Sequence, residues 1–196
     1  MFVGRTEELA ELFQLKRKAR ASLAVCKGRR RIGKSTLIDE CSKKFDHFLR
    51  FEGLAPRKDL AREHQLEHFA SQLASQTKSP KLRFSDWPQA FQLLDRLIPS
   101  SGWTLLLLDE ISWLSIGDRD FAGHLKIAWD ELFKKHRKLV VVLCGSVSSW
   151  IDNNILNSPA YLGRAARAPH LVCGSSDASL PRQPPGEWRR SQRCTR

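Results

Sequence analysis

The segment Gly28–Ser35, with the sequence GRRRIGKS, combines residue types and spacing that suit phosphate binding. It fits the pattern G-x-x-x-x-G-K-[ST], in which backbone amides of a glycine-rich loop surround phosphate oxygens. An apolar run precedes the loop and a helical pattern follows it, so the positive end of that helix would face the same phosphates. Lys34 is expected to reach the β- and γ-phosphates of ATP, and Ser35 to bind Mg²⁺. The alternative is a chance glycine-rich turn.

The predicted phosphate-binding residues include the variable positions of the loop as well as the fixed ones. They are Gly28, Arg29, Arg30, Arg31, Ile32, Gly33, Lys34, Ser35 and Thr36. The three arginines either add positive potential near the phosphates or point to solvent. We expect solvent for at least two of them, because the backbone rather than the variable side chains surrounds phosphates in such loops.

Two adjacent acids, Asp109 and Glu110, follow the apolar run TLLLL at 104–108. Ligands bind at the carboxyl ends of the strands in a parallel sheet, so both side chains are expected at the phosphate site. Asp109 would face Mg²⁺ through water, and Glu110 would orient and deprotonate an attacking water. The alternative is a pair of solvated turn acids. A small-molecule kinase needs no carboxylate dedicated to water, so the pair favours ATP hydrolysis.

A further apolar run, LVVVLCGS at 139–146, ends in Gly145 and Ser146. A polar side chain at this strand end would touch the γ-phosphate or the attacking water, and Ser146 has the best position for that role. Glycine and serine are also common turn residues, so a simple Gly-Ser turn remains an equal alternative at this point.

Apolar strands must alternate with helices if these residues are to meet. Continuous apolar runs typical of strands lie at 21–28, 47–53, 104–110 and 139–146. Helical spacing of apolar residues lies at 5–20, 34–45 and 57–77, from Trp87-Pro88 onward, and at 120–137. This alternation is typical of an α/β fold with a parallel sheet. We therefore expect three layers, with mostly parallel strands between helices on both faces.

The composition excludes several classes of protein. The 196 residues are 41% hydrophobic and 28% charged, which suits a compact core. No apolar run approaches the ~20 residues of a membrane span, and the acids near the N-terminus do not fit a signal peptide. Five scattered cysteines without a CxxC pair predict free thiols rather than a zinc site or disulfides. A cytoplasmic protein without membrane contact is therefore expected.

The net charge of +12 invites comparison with nucleic-acid-binding proteins. The run KKHRK at 134–138 falls at the C-terminus of a predicted helix, where the helix dipole stabilises cations. A solvated face is therefore favoured there over a DNA site, and no known nucleic-acid-binding motif is visible in 1–164. His64 and His68 lie one helical turn apart, but they lack a third ligand and predict no metal site.

These motifs together resemble the AAA-like ATPases of the archaeal-type ATPase family over roughly residues 2–164. FVGRTEEL at 2–9 is similar to the family's entry motif near the adenine, and 28–36, 107–113 and 143–146 match its phosphate loop, acidic strand and sensor strand. The resemblance implies a P-loop NTPase core with an extra central strand and a catalytic Glu. It also implies that Arg164, at the end of SPAYLGR, contacts the γ-phosphate or another subunit, in a homo-oligomer or with a protein partner.

The resemblance ends near Arg164, and a domain boundary is predicted there. We expect an ATPase core at 1–164 and an Arg/Pro/Ser-rich tail at 165–196, in which no helical or strand period is found. A disordered basic tail and a segment of non-native coding sequence, such as a frameshift product, both fit. Relatives continue into a small helical lid, so a chain truncated after its core is expected.

Three functional hypotheses remain open at this point. The first is a Mg²⁺-dependent ATPase whose nucleotide state drives a conformational switch. The second is a truncated fragment that binds ATP with little or no turnover. The third is a basic nucleic-acid-associated module that ATP regulates, although no motif in 1–164 supports it. A P-loop kinase is a weaker alternative.

Overall fold

A computed structural model describes residues 5–18, 20–146, 148–157 and 170–172. The strands are β1 (Ser22–Lys27), β2 (His47–Glu52), β3 (Thr104–Asp109), β4 (Leu139–Gly145) and β5 (His170–Val172). The helices are α1 (Thr6–Arg17), α2 (Lys34–Ser42), α3 (Arg62–Thr77), α4 (Trp87–Leu97), α5 (Ile111–Leu114), α6 (Phe121–Glu131) and α7 (Ser148–Ile151). A 3₁₀ turn follows α6 and a π-helical turn follows α7. In these described ranges, no helix has the length and apolarity needed to cross a membrane.

The five strands form one parallel sheet in the order β2-β3-β4-β1-β5. β4 lies between β1 and β3, with Val140 opposite Ser22 on one side and Leu139 opposite Thr104 on the other. This is the extra central strand that the resemblance implies. Because the strands run in one direction, the carboxyl ends of β1, β3 and β4 meet at the same edge of the sheet.

Helices cover both faces of the sheet. α1 and α2 pack on one face, where Leu12 and Leu37 join a cluster that contains Leu107 of β3. α3, α4 and α6 pack on the opposite face, where the next residue of β3, Leu108, joins a cluster with Phe69. Successive strand side chains point to opposite faces, so a strand covered on both sides must be apolar throughout, and every residue of β4 is buried. The predicted three-layer α/β fold is confirmed.

Two helices differ from the predictions at their ends. The helix predicted over 57–77 begins at Arg62, because Asp59 has a φ of 60°, which a right-handed helix does not accept. The helix predicted over 120–137 is α6 and ends at Glu131. Leu132 leaves helical geometry, with φ −114° and ψ −72°, and the following 3₁₀ turn places Phe133 in the core. Burial of that ring favours the earlier helix end.

Within the segment predicted as an Arg/Pro/Ser-rich tail, residues 170–172 form β5, which pairs with β1. His170 lies opposite Val25, and Val172 lies opposite Lys27. A three-residue strand is too short to show a period in the sequence, and its pairing with a distant strand supplies the hydrogen bonds that define it. Arg164 lies outside the described residues, so the domain boundary there stays a prediction.

Three cysteines of the described ranges, Cys26, Cys41 and Cys144, are buried and belong to no disulfide there. Burial raises the pKa of Cys41 to about 12, because the apolar surroundings disfavour the thiolate. Cys173 and Cys194 lie outside the described residues.

Phe69 lies at the centre of an aromatic cluster on the α3 face. Its ring stacks on Phe51 with 4.3 Å between centroids and meets Trp87 edge-on at 5.4 Å. We expect Phe69→Ala to lower the free energy of unfolding by about 3–5 kcal/mol, the usual cost of deleting a buried phenyl ring. Urea unfolding measures this loss. Phe84→Ala is the matched control, because Phe84 is only partly buried beside Phe69; a similar loss in both variants contradicts a central role for Phe69.

Candidate functional site

The predicted phosphate loop connects the carboxyl end of β1 to the start of α2. Gly33 precedes α2 with a left-handed φ of 79°, and a Cβ added there would meet no atom within 4 Å. The loop and the ends of neighbouring strands border an open cavity of about 390 Å³. The residues that line it are Arg30, Arg31, Gly33, Lys34, Ser35, Thr36, Asp109 and Glu110. The structure therefore brings the loop and the acid pair together in one cavity.

Lys34 is a buried cation at the first position of α2, with 7% of its surface exposed. Its Nζ donates hydrogen bonds to the backbone oxygens of Gly28 and Arg29, both at 2.8 Å. Among the described residues, no carboxylate forms an ion pair with Lys34. An ammonium group has three donors, so two carbonyl oxygens compensate the charge only in part, and one N–H has no partner in the described ranges. A buried charge of this kind is costly, and an anionic oxygen in the cavity would compensate it.

Asp109 and Ser35 meet at the same cavity from two different elements. Asp109 ends β3 and is 3% exposed. Its Oδ2 accepts a hydrogen bond from Ser35 Oγ at 3.2 Å, and its Oδ1 accepts one from the Glu110 N–H at 3.1 Å. Hydroxyl and carboxylate oxygens are hard ligands that suit Mg²⁺, which commonly binds one or two carboxylates together with water and phosphate oxygens. The residues present therefore fit the predicted metal.

Clusters that bind a metal with protein ligands alone are absent from the part of the chain that the structure describes. No group of three or more His, Cys, Asp or Glu side chains converges there. A single carboxylate and a hydroxyl leave most positions around a Mg²⁺ ion to water and phosphate. The site therefore suits a metal that arrives with a nucleotide.

Arg50 is a site residue that the sequence analysis missed. It lies on β2, and its Nη2 donates to Asp109 Oδ2 at 2.7 Å, the oxygen that also accepts from Ser35. Two further carboxylates are near, with Asp39 Oδ1 at 3.5 Å and Glu52 Oε2 at 3.7 Å from the guanidinium. The only sequence signal is one charged residue inside the apolar run HFLRF at 47–51. Arg50 therefore places a positive charge on the predicted metal ligand.

Glu110 and Ser146 link the ends of β3 and β4. Glu110 adopts a left-handed φ of 46° immediately before α5. Glu110 Oε2 accepts hydrogen bonds from Ser146 Oγ at 2.8 Å and from the Ser146 N–H at 3.2 Å. The hydroxyl donor fixes one carboxylate oxygen and leaves the other available to a ligand. The structure thus pairs the predicted base with the predicted sensor residue.

Arg30 is the one loop arginine with a described side-chain contact to the site. Its Nε lies 3.4 Å from Ser146 Oγ, and its guanidinium lies over the Trp113 ring, 4.7 Å from the centroid. A guanidinium over an indole face is a favourable cation–π contact. All three loop arginines are exposed, and Arg31 also lines the cavity. Arg30 therefore joins the phosphate loop to both α5 and the end of β4.

Two predicted contact regions fall partly or wholly outside the described residues. The first is Arg164, and the second is the start of the entry motif, Phe2–Gly4. The next residue of that motif is described, and Arg5 Nη2 donates a hydrogen bond to the backbone oxygen of Ile32. The entry segment therefore touches the phosphate loop, although the adenine contact that the resemblance implies stays a prediction.

Comparison with known proteins gives a fold but no closer relative. Neither a protein-family model nor a curated protein matches the chain. Among solved structures, the Walker-type ATPase PABY2304 of Pyrococcus abyssi matches with a TM-score of 0.61 and 21% identity, over 88% of this chain and 53% of that one. Cdc6p from Pyrobaculum aerophilum matches with a TM-score of 0.59 and 16% identity, over 85% and 44%.

A third match extends the same pattern. The ORC2 protein of Aeropyrum pernix, solved as ADPNP–ADP complexes, has a TM-score of 0.55 and 18% identity, over 80% of this chain and 45% of that one. The chain thus spans about half the length of the proteins that it matches. At these identities the likeness is one of fold. The fold is that of a P-loop ATPase core, as the sequence predicted.

Proposed function

We propose that this protein binds ATP together with Mg²⁺ and hydrolyses it. The observation that carries the proposal is the meeting of Lys34, Asp109 and Glu110 in one cavity at the end of a parallel sheet. The similar Pyrococcus protein is a Walker-type ATPase, and the similar Aeropyrum protein was solved as ADPNP–ADP complexes, which supports ATP as the ligand of this fold.

Each residue of the cavity has a separate task in the proposed reaction. Lys34 gives up a backbone carbonyl or uses its third donor to bind a phosphate oxygen. Ser35 and Asp109 hold Mg²⁺, which supplies charge neutralisation at the phosphates when bound. The backbone of the loop orients the phosphates for in-line attack.

Glu110 has the task that separates hydrolysis from binding. Its carboxylate accepts the proton of a water that attacks the γ-phosphate, and the Ser146 hydroxyl holds it in place for that transfer. Arg30 touches the same hydroxyl and would sense a change at Glu110. The acid–hydroxyl pair is therefore both the proposed catalytic centre and the proposed sensor.

A conformational switch belongs to the same proposal. Lys27 Nζ, at the end of β1, forms an ion pair with Asp152 Oδ1 at 2.6 Å. Asp152 begins the π-helical turn that follows α7. This contact ties the entry to the phosphate loop to the segment after β4, so a shift at either place is transmitted to the other. The proposal includes a protein partner, or a second copy of the chain, that contacts both this segment and Arg164.

Nucleotide binding by the purified chain tests the proposal. Fluorescent ATP analogue, displaced by ATP, ADP, AMP or GTP with and without Mg²⁺, gives the ligand class, and phosphate release gives turnover. Binding of ATP that Mg²⁺ strengthens, with release of phosphate, supports hydrolysis. Binding without release supports a nucleotide-binding protein with little or no turnover, and ADP release that requires an added hydroxyl acceptor supports a kinase. Absence of Mg²⁺-dependent binding contradicts the proposal.

In the proposed site, Arg50 competes with Mg²⁺ for the carboxylate of Asp109. Its charge lies at the oxygen of Asp109 that a Mg²⁺ shell needs, so Arg50→Met should raise the affinity of the ATP-bound protein for Mg²⁺ by about fivefold to tenfold. Methionine keeps an unbranched apolar side chain of similar length. A Mg²⁺ titration at fixed ATP measures the change. Equal or weaker Mg²⁺ affinity in Arg50→Met contradicts competition between Arg50 and Mg²⁺. Arg50 would then be a residue that holds Asp109 in position.

A further inference from the structure

Two short basic segments, far apart in the sequence, lie at the same edge of the sheet. KRKAR at 16–20 precedes β1, and KKHRK at 134–138 precedes β4. Each segment contains four Lys or Arg residues and no acid. β1 and β4 are neighbouring parallel strands with Ser22 opposite Val140, so Arg20 and Lys138 each stand two residues before this pair. The topology therefore brings the two segments together.

Backbone contacts fix both segments to the sheet and to α2. Lys16 Nζ donates to the backbone oxygen of Lys44 at 2.5 Å, which places the end of α2 beside the first segment. The backbone oxygen of Lys138 accepts a hydrogen bond from the Thr104 N–H at 2.9 Å, which ties the second segment to β3. These are the amino ends of the strands, opposite the edge that holds the candidate nucleotide site.

The cations at this edge face solvent. We call the following exposed residues the basic edge: Arg17, Lys18, Arg20, Lys44, Lys134, Lys135, Arg137 and Lys138. In the described ranges, none of Lys18, Arg20, Lys135 and Lys138 forms an ion pair with a carboxylate. His136 differs, because its Nε2 lies 2.7 Å from Asp95 Oδ1. These four residues of the basic edge therefore present positive charge that neighbouring acids do not neutralise.

The helix dipoles account for only part of this charge. Arg17 lies in the last turn of α1, Lys18 is its C-cap, and Lys134 and Lys135 lie in the 3₁₀ turn that follows α6. The sequence suggested that 134–138 end a helix, but α6 ends at Glu131 with Leu132 as its C-cap. The dipole effect falls off within the last turn of a helix. Arg20 and Lys138 lie in no helix at all. The predicted helix end at 134–138 is thus a 3₁₀ turn and the residues after it, and Arg20 and Lys138 are cations of the basic edge that no helix end explains.

The surroundings of the basic edge favour nucleic acid over a membrane. The large apolar side chains exposed in the described residues are Leu82 and Ile127, and neither belongs to the basic edge. Stable membrane attachment needs an apolar insertion or a lipid chain in addition to basic charge. Lys16 lies over the Phe45 and Trp103 rings, at 4.8 and 5.8 Å from their centroids, and so covers the aromatic faces that unpaired bases would stack on.

We propose that the basic edge binds the phosphate backbone of double-stranded nucleic acid without reading its sequence. Lysines and arginines on such a surface neutralise phosphates and release the counterions condensed on the duplex, which makes affinity fall steeply with salt. The surface shares no residue with the nucleotide cavity. The proposal therefore stands or falls independently of ATP hydrolysis.

The test measures binding of the full chain to a fluorescent duplex DNA of random sequence, at several salt concentrations. One double variant is Lys18→Gln with Arg20→Gln, and a second is Lys135→Gln with Lys138→Gln. Arg57→Gln with Lys58→Gln is the control, because it removes the same charge from exposed residues that follow the carboxyl end of β2. Thermal unfolding and ATP binding confirm that every variant is folded.

Each edge variant should weaken binding at least ~10-fold and lower the salt slope by about 2, since one lost phosphate contact changes it by about 0.9. The two double variants combined should lower it by about 4, and the control should change affinity less than ~2-fold. An equal loss of DNA affinity in the control shows that net charge alone explains the effect, and it overturns the proposal. Unchanged binding in the edge variants assigns it to other basic segments and overturns it too. Tighter binding to phosphatidylserine vesicles than to DNA identifies a membrane as the ligand of the basic edge and overturns the proposal.

Discussion

Lys34→Ala should abolish ATP binding at micromolar concentrations, a loss of at least ~100-fold. The ammonium is buried and has no carboxylate partner among the residues that the structure describes, so it is placed to meet phosphate charge where water screens it little. Hydrogen bonds to a charged group contribute about 1.5–3 kcal/mol each, and ~1.4 kcal/mol changes affinity tenfold. Displacement of a fluorescent ATP analogue measures the loss. Alanine also favours helix, so α2 should remain folded.

Lys43→Ala is the matched control for this variant. Lys43 follows the same helix, is exposed and pairs with Glu40 at 2.5 Å, so its removal changes the net charge equally without touching the cavity. ATP affinity in Lys43→Ala should stay within about twofold of the wild type, since an exposed ion pair contributes little. Tight ATP binding by Lys34→Ala, or an equal loss in Lys43→Ala, contradicts the assignment of Lys34 to the phosphates.

Glu110→Gln should keep ATP binding and lower turnover by about 10²–10⁴-fold, the usual contribution of a general base. The glutamine amide has the same shape, and its oxygen still accepts the hydrogen bond from Ser146 Oγ. It does not take a proton from water. Phosphate release under single-turnover conditions measures the rate, and analogue displacement measures the affinity in the same preparation.

Glu131→Gln is the control for the catalytic variant, because Glu131 is exposed at the end of α6 and does not line the cavity. Its turnover should equal that of the wild type. Two results contradict the account of Glu110. One is full turnover in Glu110→Gln, and the other is a loss of binding as large as the loss of turnover, which makes the carboxylate a ligand-binding or structural group.

The elements of this fold were predictable where the local pattern and the tertiary environment agree. β3 and β4 are buried throughout, so their sequences are almost wholly apolar, and runs of six and seven residues suit a strand better than a helix. Helix ends were less predictable. Phe133 continues the apolar spacing of α6 but is buried from a 3₁₀ turn, and the spacing alone does not distinguish the two.

The candidate site likewise contains residues that the local sequence predicts and residues that it does not. Gly33, Lys34 and Ser35 belong to one continuous motif, and Asp109 with Glu110 marks a strand end, so local sequence places them. Arg50 meets Asp109 from 59 positions away, and no local pattern encodes that pairing. β5 is defined by hydrogen bonds to β1 rather than by its three residues. The basic edge can be recognised only when the strand order is known, since the pairing of β1 with β4 brings its two segments together.

Amide NMR spectra of the full chain, recorded during titration with Mg²⁺ and a non-hydrolysable ATP analogue, test the central claim most directly. That claim is that the phosphate loop, the acid pair and the end of β4 form one nucleotide site. The largest shifts should fall at 28–36, 109–110 and 145–146, with little change at 16–20 or 134–138. Shifts confined to other surfaces, or no shifts at saturating analogue, contradict the claim.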